Sequence, residues 1–287
     1  MEDEEEGYEE ALKLVYARTH GSLITGITGA PGVGKSSLIA QMATALRKEG
    51  KNVAIIAVDP TSPITGGAIL GDRIRMPELS SDPGVFIRSM GSRGGAGGLS
   101  LQAANAARIL DVMGCDAILI ETVGAGQTQV DIMGVADSVI VVTMPGAGDE
   151  VQSIKAGLLE IADIYVVNKM DMPGAMLMAE QLTSMLDLSE WDRWRPPVLL
   201  TSATSGKGIP MLMDKLREHQ EYLKSTGELG RRRLKQLRKE IYSILYRKIE
   251  KRISGKIRPE ELDEMVQSTL RRELSPFEAA ERLASVL

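Results

Sequence analysis

Residues Gly29-Ala30-Pro31-Gly32-Val33-Gly34-Lys35-Ser36-Ser37 constrain this chain more than any other stretch, because they form the pattern G-x-x-x-x-G-K-[ST] between two oppositely patterned runs. The apolar, β-type run Leu23-Ile24-Thr25-Gly26-Ile27 precedes it and the helix-like run Leu38-Ile39-Ala40-Gln41-Met42-Ala43 follows it. In that context the glycines let successive backbone N–H groups turn inward around a β-phosphate. A lysine, Lys35, neutralises phosphate charge, and a hydroxyl, Ser36, ligates magnesium. Gly29, Gly32, Val33, Gly34, Lys35, Ser36 and Ser37 are therefore candidate nucleotide-binding residues. The bland alternative, a glycine-rich turn with a chance lysine, does not account for the strand before it and the helix after it.

A phosphate loop in this setting requires a parallel sheet with helices on both faces, and the rest of the chain is patterned for one. Short β-branched runs at 22–28, 53–58, 85–89, 116–121, 138–143, 164–168 and 197–201 alternate with helical patterns near 35–49, 99–113, 150–161, 174–186 and 209–224. The fold class expected is thus α/β, a P-loop NTPase with a mostly parallel sheet. From about Glu228 the strands stop, and Leu234, Leu237, Ile241, Ile244, Leu245 and Ile249 recur at three- and four-residue steps, an amphipathic stripe that must bury against something. Further helices are expected near Pro259 and after Ser275-Pro276. The domain reading is an N-terminal helical extension over 1–20, with one helix around Glu9 to Arg18, a nucleotide-binding domain over 21–227, and a helical arm over 228–287. A hydrophobic content of 43% over 287 residues supports a sizeable core, and with only 3% aromatics that core must be Ile, Val, Leu, Ala and Met. The net charge of -5 gives no general attraction to nucleic acid or to an anionic membrane, and no apolar run approaches a bilayer span. Cys115 opens a buried-strand pattern and reads as structural, while the acidic start Met1-Glu2-Asp3-Glu4-Glu5-Glu6 is unlike a targeting peptide, so a cytoplasmic location is expected.

Asn168-Lys169-Met170-Asp171 follows the strand-like run Ile164-Tyr165-Val166-Val167. A carboxylate at Asp171 can accept from both N1–H and N2–H2 of guanine, whereas adenine has no N1–H, so the motif selects guanine. Ser202 and Ala203, after the strand at 197–201, supply a backbone N–H for guanine O6. Between these motifs the apolar run Ala117 to Ile120 ends in Glu121-Thr122-Val123-Gly124. Glu121 is a candidate magnesium or bound-water partner, and Gly124 a candidate γ-phosphate contact. Asp59, at the end of the 53–58 strand, faces the same metal in this reading. The loop beyond it is long, glycine-dotted and rich in hydroxyls and charges, as a γ-phosphate-sensing switch must be; it contains Thr65, Asp72 and Arg73, with Asp72 a further oxygen ligand.

The combination of Val58-Asp59-Pro60, Thr65-Gly66-Gly67, Leu70-Gly71-Asp72-Arg73, Glu121-Thr122-Val123-Gly124-Ala125-Gly126-Gln127, Pro145-Gly146-Ala147-Gly148-Asp149-Glu150 and Asn168-Lys169-Met170-Asp171 resembles the MeaB/ArgK-type GTPases over roughly residues 8–287. The resemblance implies a GTP-hydrolysing, metallochaperone-like G protein. Such a protein associates with adenosylcobalamin-dependent methylmalonyl-CoA mutase or a related acyl-CoA mutase, gating cofactor loading and protecting the loaded enzyme. It further implies Mg2+, GTP and GDP as ligands, a homodimer formed through the C-terminal arm, and a third switch matching Pro145 to Lys155, so that Asp149, Glu150 and Lys155 inherit a role in partner communication. Read on their own, those acidic residues also suit the N-terminus of a helix. Set against the family, an N-terminal extension of about one helix is expected to be short.

Some residues keep two readings. A Ras-like glutamine would stand directly after Gly124, where this chain has Ala125; Gln127 lies two positions on and is the remaining candidate for positioning the attacking water. Arg73, Arg75 and Arg93 are either finger-like charges or solvated loop residues, and the glycine-rich stretch 91–98 is either a flexible lead into a helix or a close-approach segment. The basic run Arg231-Arg232-Arg233 reads as a solvated helix face rather than a nucleic-acid contact, and His20 and His219 read as isolated. No cobalamin-ligating motif is present in the sequence. The alternatives to the mutase-associated GTPase are a P-loop kinase linked to basic amino-acid transport, as an older family label has it, and a GTPase for another metallocofactor. The first lacks an acceptor base in the sequence, and the second lacks His/Cys-rich stretches.

Overall fold

The computed structural model describes residues 7–60, 76–92, 98–122, 131–146, 161–188 and 190–285. Within them the strands are β1 (Leu23–Thr28), β2 (Val53–Pro60), β3 (Val85–Ser92), β4 (Ala117–Thr122), β5 (Ser138–Thr143), β6 (Ile164–Val167) and β7 (Val198–Leu200). They form one sheet in the order β3-β2-β4-β1-β5-β6-β7, every pairing parallel, with β1 in the centre. Each strand is a nearly unbroken apolar run because both faces are covered. Side chains alternate between the faces: Ile27, Ile55, Leu119, Ile140 and Val166 pack on one side, Ile56, Ile118, Ile120, Val141 and Val167 on the other.

The first of those faces is closed by α2 (Lys35–Lys48) and α5 (Ile209–Ser225), which contribute Leu38, Met42, Leu46, Leu212 and Leu216. The second is closed by α3 (Gly98–Val112) and α4 (Ala175–Asp187), through Ala107, Leu110, Met178 and Leu182. α1 (Tyr8–Tyr16) packs beside α3, where the Arg108 guanidinium lies 5.2 Å from the centre of the Tyr16 ring. The expected helix at 150–161 lies outside the described residues. Two short turns carried no pattern in the sequence, Pro77–Ser80 and the 3₁₀ turn Ile132–Gly134; single turns are too short to show a period.

Residues up to Leu237 and residues from Arg238 onward form two compact units. The second contains the remainder of α6 (Glu228–Lys256), then α7 (Pro259–Leu270) and α8 (Pro276–Ala284). Ser275 caps α8 reciprocally with Glu278, and Pro276 stands in its first turn, as the Ser-Pro signal predicts. Along α6 the apolar stripe is solvent-facing: Ile241 is 65% and Tyr246 68% exposed.

The N-terminal edge of the sheet corrects the reading of the basic run and of His219. Arg232 forks onto Asp163 at 2.7 and 2.8 Å, and Arg233 onto Asp137 at 2.8 and 2.9 Å, so two of the three arginines are anchors and not a solvated face. Both acids are buried and also accept backbone N–H groups, Asp163 from Val139 and Asp137 from Ile24. His219 is fully buried, its Nδ1 2.9 Å from Ser138 Oγ and its Nε2 3.2 Å from Asp163 Oδ1. Partners 56 to 96 residues away in sequence are invisible to a local pattern. Asp111, near the end of α3, accepts the backbone N–H groups of His20, Gly21 and Ser22, which lead into β1. Cys115 is partly buried against the core, as expected, and burial pushes its thiol pKa up.

Candidate functional site

The phosphate loop spans the gap between β1 and α2 at the C-terminal edge of the sheet, where β1 lies between β4 and β5; open parallel sheets bind ligands in such crevices. Its shape depends on glycine at two points. Gly29 has φ +141° and a Cβ there would lie 2.0 Å from the Val142 carbonyl oxygen, while Gly34 has φ +95° and a Cβ would lie 2.4 Å from Asn168 Nδ2. A side chain at Gly29 would push the loop off β5, and one at Gly34 would displace the Asn168 amide. The loop ends at the N-terminus of α2, whose N–H groups and dipole favour an anion.

Lys35, the first residue of α2, is buried, and its Nζ donates to the Gly29 and Ala30 carbonyls at 2.8 and 2.9 Å, so the ammonium lies across the loop. Ser36 Oγ donates to Glu121 Oε1 at 2.9 Å, bringing together the two candidate metal ligands from α2 and β4. Glu121 is 2% exposed. A hydroxyl and a carboxylate in contact beside a phosphate loop are hard oxygen donors, the set a magnesium ion takes. Beside them the Thr122 hydroxyl donates to the Thr28 hydroxyl at 2.9 Å, joining the ends of β4 and β1.

Asn168 is the hinge of the other half. Its Nδ2 donates to the Val33 carbonyl at 2.8 Å, and its Oδ1 accepts from Ala203 N–H and Thr201 Oγ1, both at 3.1 Å. One buried amide thus ties the phosphate loop to the two segments expected to read the base. Lys169 follows with φ +57°, left-handed in a non-glycine residue, a conformation that the fold imposes through the Met170 N–H to Thr201 carbonyl bond at 2.9 Å. Asp171 is exposed on the turn after β6, while Ser202 is buried and its N–H donates to the Lys207 carbonyl at 3.0 Å.

Of the remaining expected residues, Gly32 and Ser37 are in the loop and the first turn of α2, both exposed. Asp59 lies in β2 in register with Gly91 of β3. Thr65, Asp72, Arg73, Gly124, Gln127, Asp149, Glu150 and Lys155 lie outside the described residues, as do Arg75 and Arg93. Sequence reasoning missed the Thr28–Thr122 pair and the role of Thr201 as a partner of Asn168, since a threonine ending a strand carries no distinguishing pattern. It assigned Asn168 to the base pocket alone, because the Val33 carbonyl, 135 residues earlier, is an unmarked backbone atom.

A parallel sheet with this loop, a Ser–Glu pair beside it and an Asn-Lys-x-Asp turn two strands along define a P-loop GTPase. The family model for methylmalonyl-CoA mutase-associated GTPase MeaB matches residues 2–258, and the chain belongs to that family. A Pyrococcus abyssi protein provisionally named a GTPase is 47% identical over 287 residues, 99% of this chain and 89% of that one. The mitochondrial methylmalonic aciduria type A homolog of Mus musculus is 34% identical, covering 93% of this chain and 66% of its own, and GTPase ArgK of Escherichia coli is 38% identical, covering 75% and 66%. Among solved structures, one titled LAO/AO transport system kinase superposes with a TM-score of 0.72 at 25% identity, over 96% of this chain and 85% of that chain. The nickel-bound HypB of Helicobacter pylori, at 16% identity, a TM-score of 0.51 and coverage of 74% and 93%, shares the fold. The chain is accordingly a GTPase that binds GTP and GDP. Among the described residues no helix is long and apolar enough to cross a membrane.

Proposed function

We propose that this GTPase couples the state of its nucleotide to an adenosylcobalamin-dependent methylmalonyl-CoA mutase or a related acyl-CoA mutase, gating cofactor loading and protecting the loaded enzyme. The observation that supports the nucleotide half is the Ser36 Oγ to Glu121 Oε1 contact beside the phosphate loop, with Glu121 the residue that the resemblance gives as this family's substitute for aspartate. The family assignment carries the mutase half.

In the reaction, water attacks the γ-phosphorus of GTP and the bond to the β-γ bridging oxygen breaks, giving GDP and inorganic phosphate. Lys35 exchanges its carbonyl partners for phosphate oxygens and offsets the charge that grows on them. The loop amides and the N-terminus of α2 hold the phosphates in place, and Asn168 keeps the loop in register with Asp171 and Ala203, which read the guanine edge. Ser36 and Glu121 would hold a magnesium ion, which when bound supplies charge neutralisation at the β- and γ-phosphates. Asp59 and Asp72 are proposed as further oxygen ligands, Gly124 as a γ-phosphate contact and Gln127 as the residue that orients water. Thr65, Arg73, Asp149, Glu150 and Lys155 belong to the segments proposed to respond to the γ-phosphate and report it to the mutase. The arm beyond Glu228 is proposed to form a homodimer, because its exposed Ile and Tyr stripe needs a partner.

The experiment is GTP turnover with and without an adenosylcobalamin-dependent methylmalonyl-CoA mutase, alongside mutase affinity in GTP and GDP. The mutase should speed turnover and bind the two states differently; Lys35→Ala should abolish the difference, and Lys155→Ala should spare GTP affinity while weakening the stimulation. An unchanged rate together with equal affinities would leave a GTPase without this partner.

A further inference from the structure

At the opposite edge of the sheet from the nucleotide lies a cavity of about 390 Å³, enclosed between the start of β1, the start of β4, the end of α2 and the face of α5. Its floor is made by Leu46, Leu119, Met213 and Leu216, all buried, with the side chain of Thr25 among them. Its mouth is ringed by hydrogen-bond donors, namely Lys51, Arg217, Gln220 and Lys224, with Asp116 as the acidic member. The volume falls within the range of small-molecule sites, and the lining combines buried apolar side chains with polar and cationic groups, a mixture that suits an amphipathic ligand.

The polar groups sort into engaged and available. Lys51 pairs with Glu49 at 3.2 Å, Arg217 with Glu49 and Asp214, and Asp116 accepts the Asn52 N–H. The Lys224 ammonium, the Gln220 amide and the Thr25 hydroxyl have no hydrogen-bond or ion-pair partner among the described residues. Thr25 is 2% exposed and lines the cavity, so its hydroxyl has little but the cavity to turn to. The groups left over are thus a cation, an amide and the exposed His20 imidazole, with one hydroxyl in the floor. We infer that this cavity is a binding site for a small amphipathic anion, its carboxylate or phosphate head at Lys224 and Gln220 and its apolar chain on Leu46, Leu119, Met213 and Leu216. Elements that line it run on to the nucleotide: β1 leads to Gly29, α2 begins with Lys35 and Ser36, and β4 carries Glu121.

The test uses the full chain saturated with GDP and magnesium, so that the phosphate loop is occupied, with isothermal titration of butanoate, hexanoate, octanoate, octyl phosphate, octanol and inorganic phosphate. Octanoate or octyl phosphate should bind saturably at one site, whichever head group is preferred. Affinity should rise by about fourfold for each methylene buried along the carboxylate series. Octanol should bind at least about tenfold more weakly, for lack of a charge-assisted bond, and inorganic phosphate should not saturate. Lys224→Met and Gln220→Leu, at surface positions that leave the core intact, should each weaken octanoate or octyl phosphate while GDP affinity stays unchanged. No saturable binding of either amphiphile below about 10 mM, no dependence on chain length, or variants that bind like the wild type would each overturn the assignment.

Discussion

Replacing Asn168 with alanine tests whether one buried amide holds the two halves of the nucleotide site together. The side chain is 2% exposed and makes three hydrogen bonds, to the Val33 carbonyl, the Ala203 N–H and the Thr201 hydroxyl. Alanine removes all three and leaves a loop carbonyl and a buried amide N–H without partners, while the Thr201 hydroxyl can rotate. Each group so orphaned costs about 1–3 kcal/mol, which places the nucleotide-free destabilisation at about 3 kcal/mol, a large share of the 5–15 kcal/mol typical of a folded domain. Nucleotide binding should suffer separately, since the loop and the base-reading turn must be brought into register at the moment of binding; a GDP affinity lower by about 100-fold, or 2.7 kcal/mol, is expected. Urea unfolding monitored by circular dichroism gives the first quantity, and titration with a fluorescent GDP analogue on the folded variant gives the second. A destabilisation below about 1 kcal/mol with GDP affinity within threefold of wild type would refute the reasoning, because the amide would then be one contact among many.

Asp171→Asn should shift preference from guanine toward xanthine nucleotides, since an amide can donate to the 2-oxo group; calorimetry with GDP, XDP and ADP checks it, and equal wild-type affinity for ADP and GDP would remove Asp171 from base selection. Truncation after Leu237 should yield a monomer that still binds GDP, whereas truncation before Glu228 should cost a further 2–4 kcal/mol or so by stripping Arg232 from Asp163 and Arg233 from Asp137, with the loss discounted because both arginines keep some contact with water. Identical urea midpoints for the two truncations would show that these ion pairs contribute nothing. Acid should unfold the protein through Asp111 and Asp163. At both, burial pushes the carboxyl pKa up but is outweighed, at Asp111 by bonds from Ser22, Gly21 and His20, at Asp163 by His219 and Arg232, so both lie below the ordinary carboxylate value. Lowered folded pKa values mean that the stability is present above the unfolded value near pH 4, and is lost as pH falls through the lower folded values. Urea midpoints should therefore hold from about pH 7 to 5 and fall below about pH 4, and a collapse complete above pH 6 would contradict this assignment.

Much of this protein is determined locally. The phosphate loop, the strand-helix alternation and the Asn-Lys-x-Asp turn are short patterns whose physics acts over a few residues: glycine conformations, two- and 3.6-residue periods, and a strand that must end where a turn begins. The GTPase class was legible from those alone, and so was the α/β architecture. Side-chain pairing across the chain was not. Arg232 reads as surface charge until β6 brings Asp163 beneath it, His219 reads as isolated until Ser138 and Asp163 flank it, and Asn168 reads as a base contact until Val33 takes its amide. In each case the partner is supplied by a strand or loop at least 56 residues distant, so the environment that decides between solvated, paired and buried exists only once the sheet has assembled. The order of the strands, which no local pattern carries, places Ser36 against Glu121 and a cavity beneath β1, because only the folded sheet brings the ends of β1, β4 and α2 together.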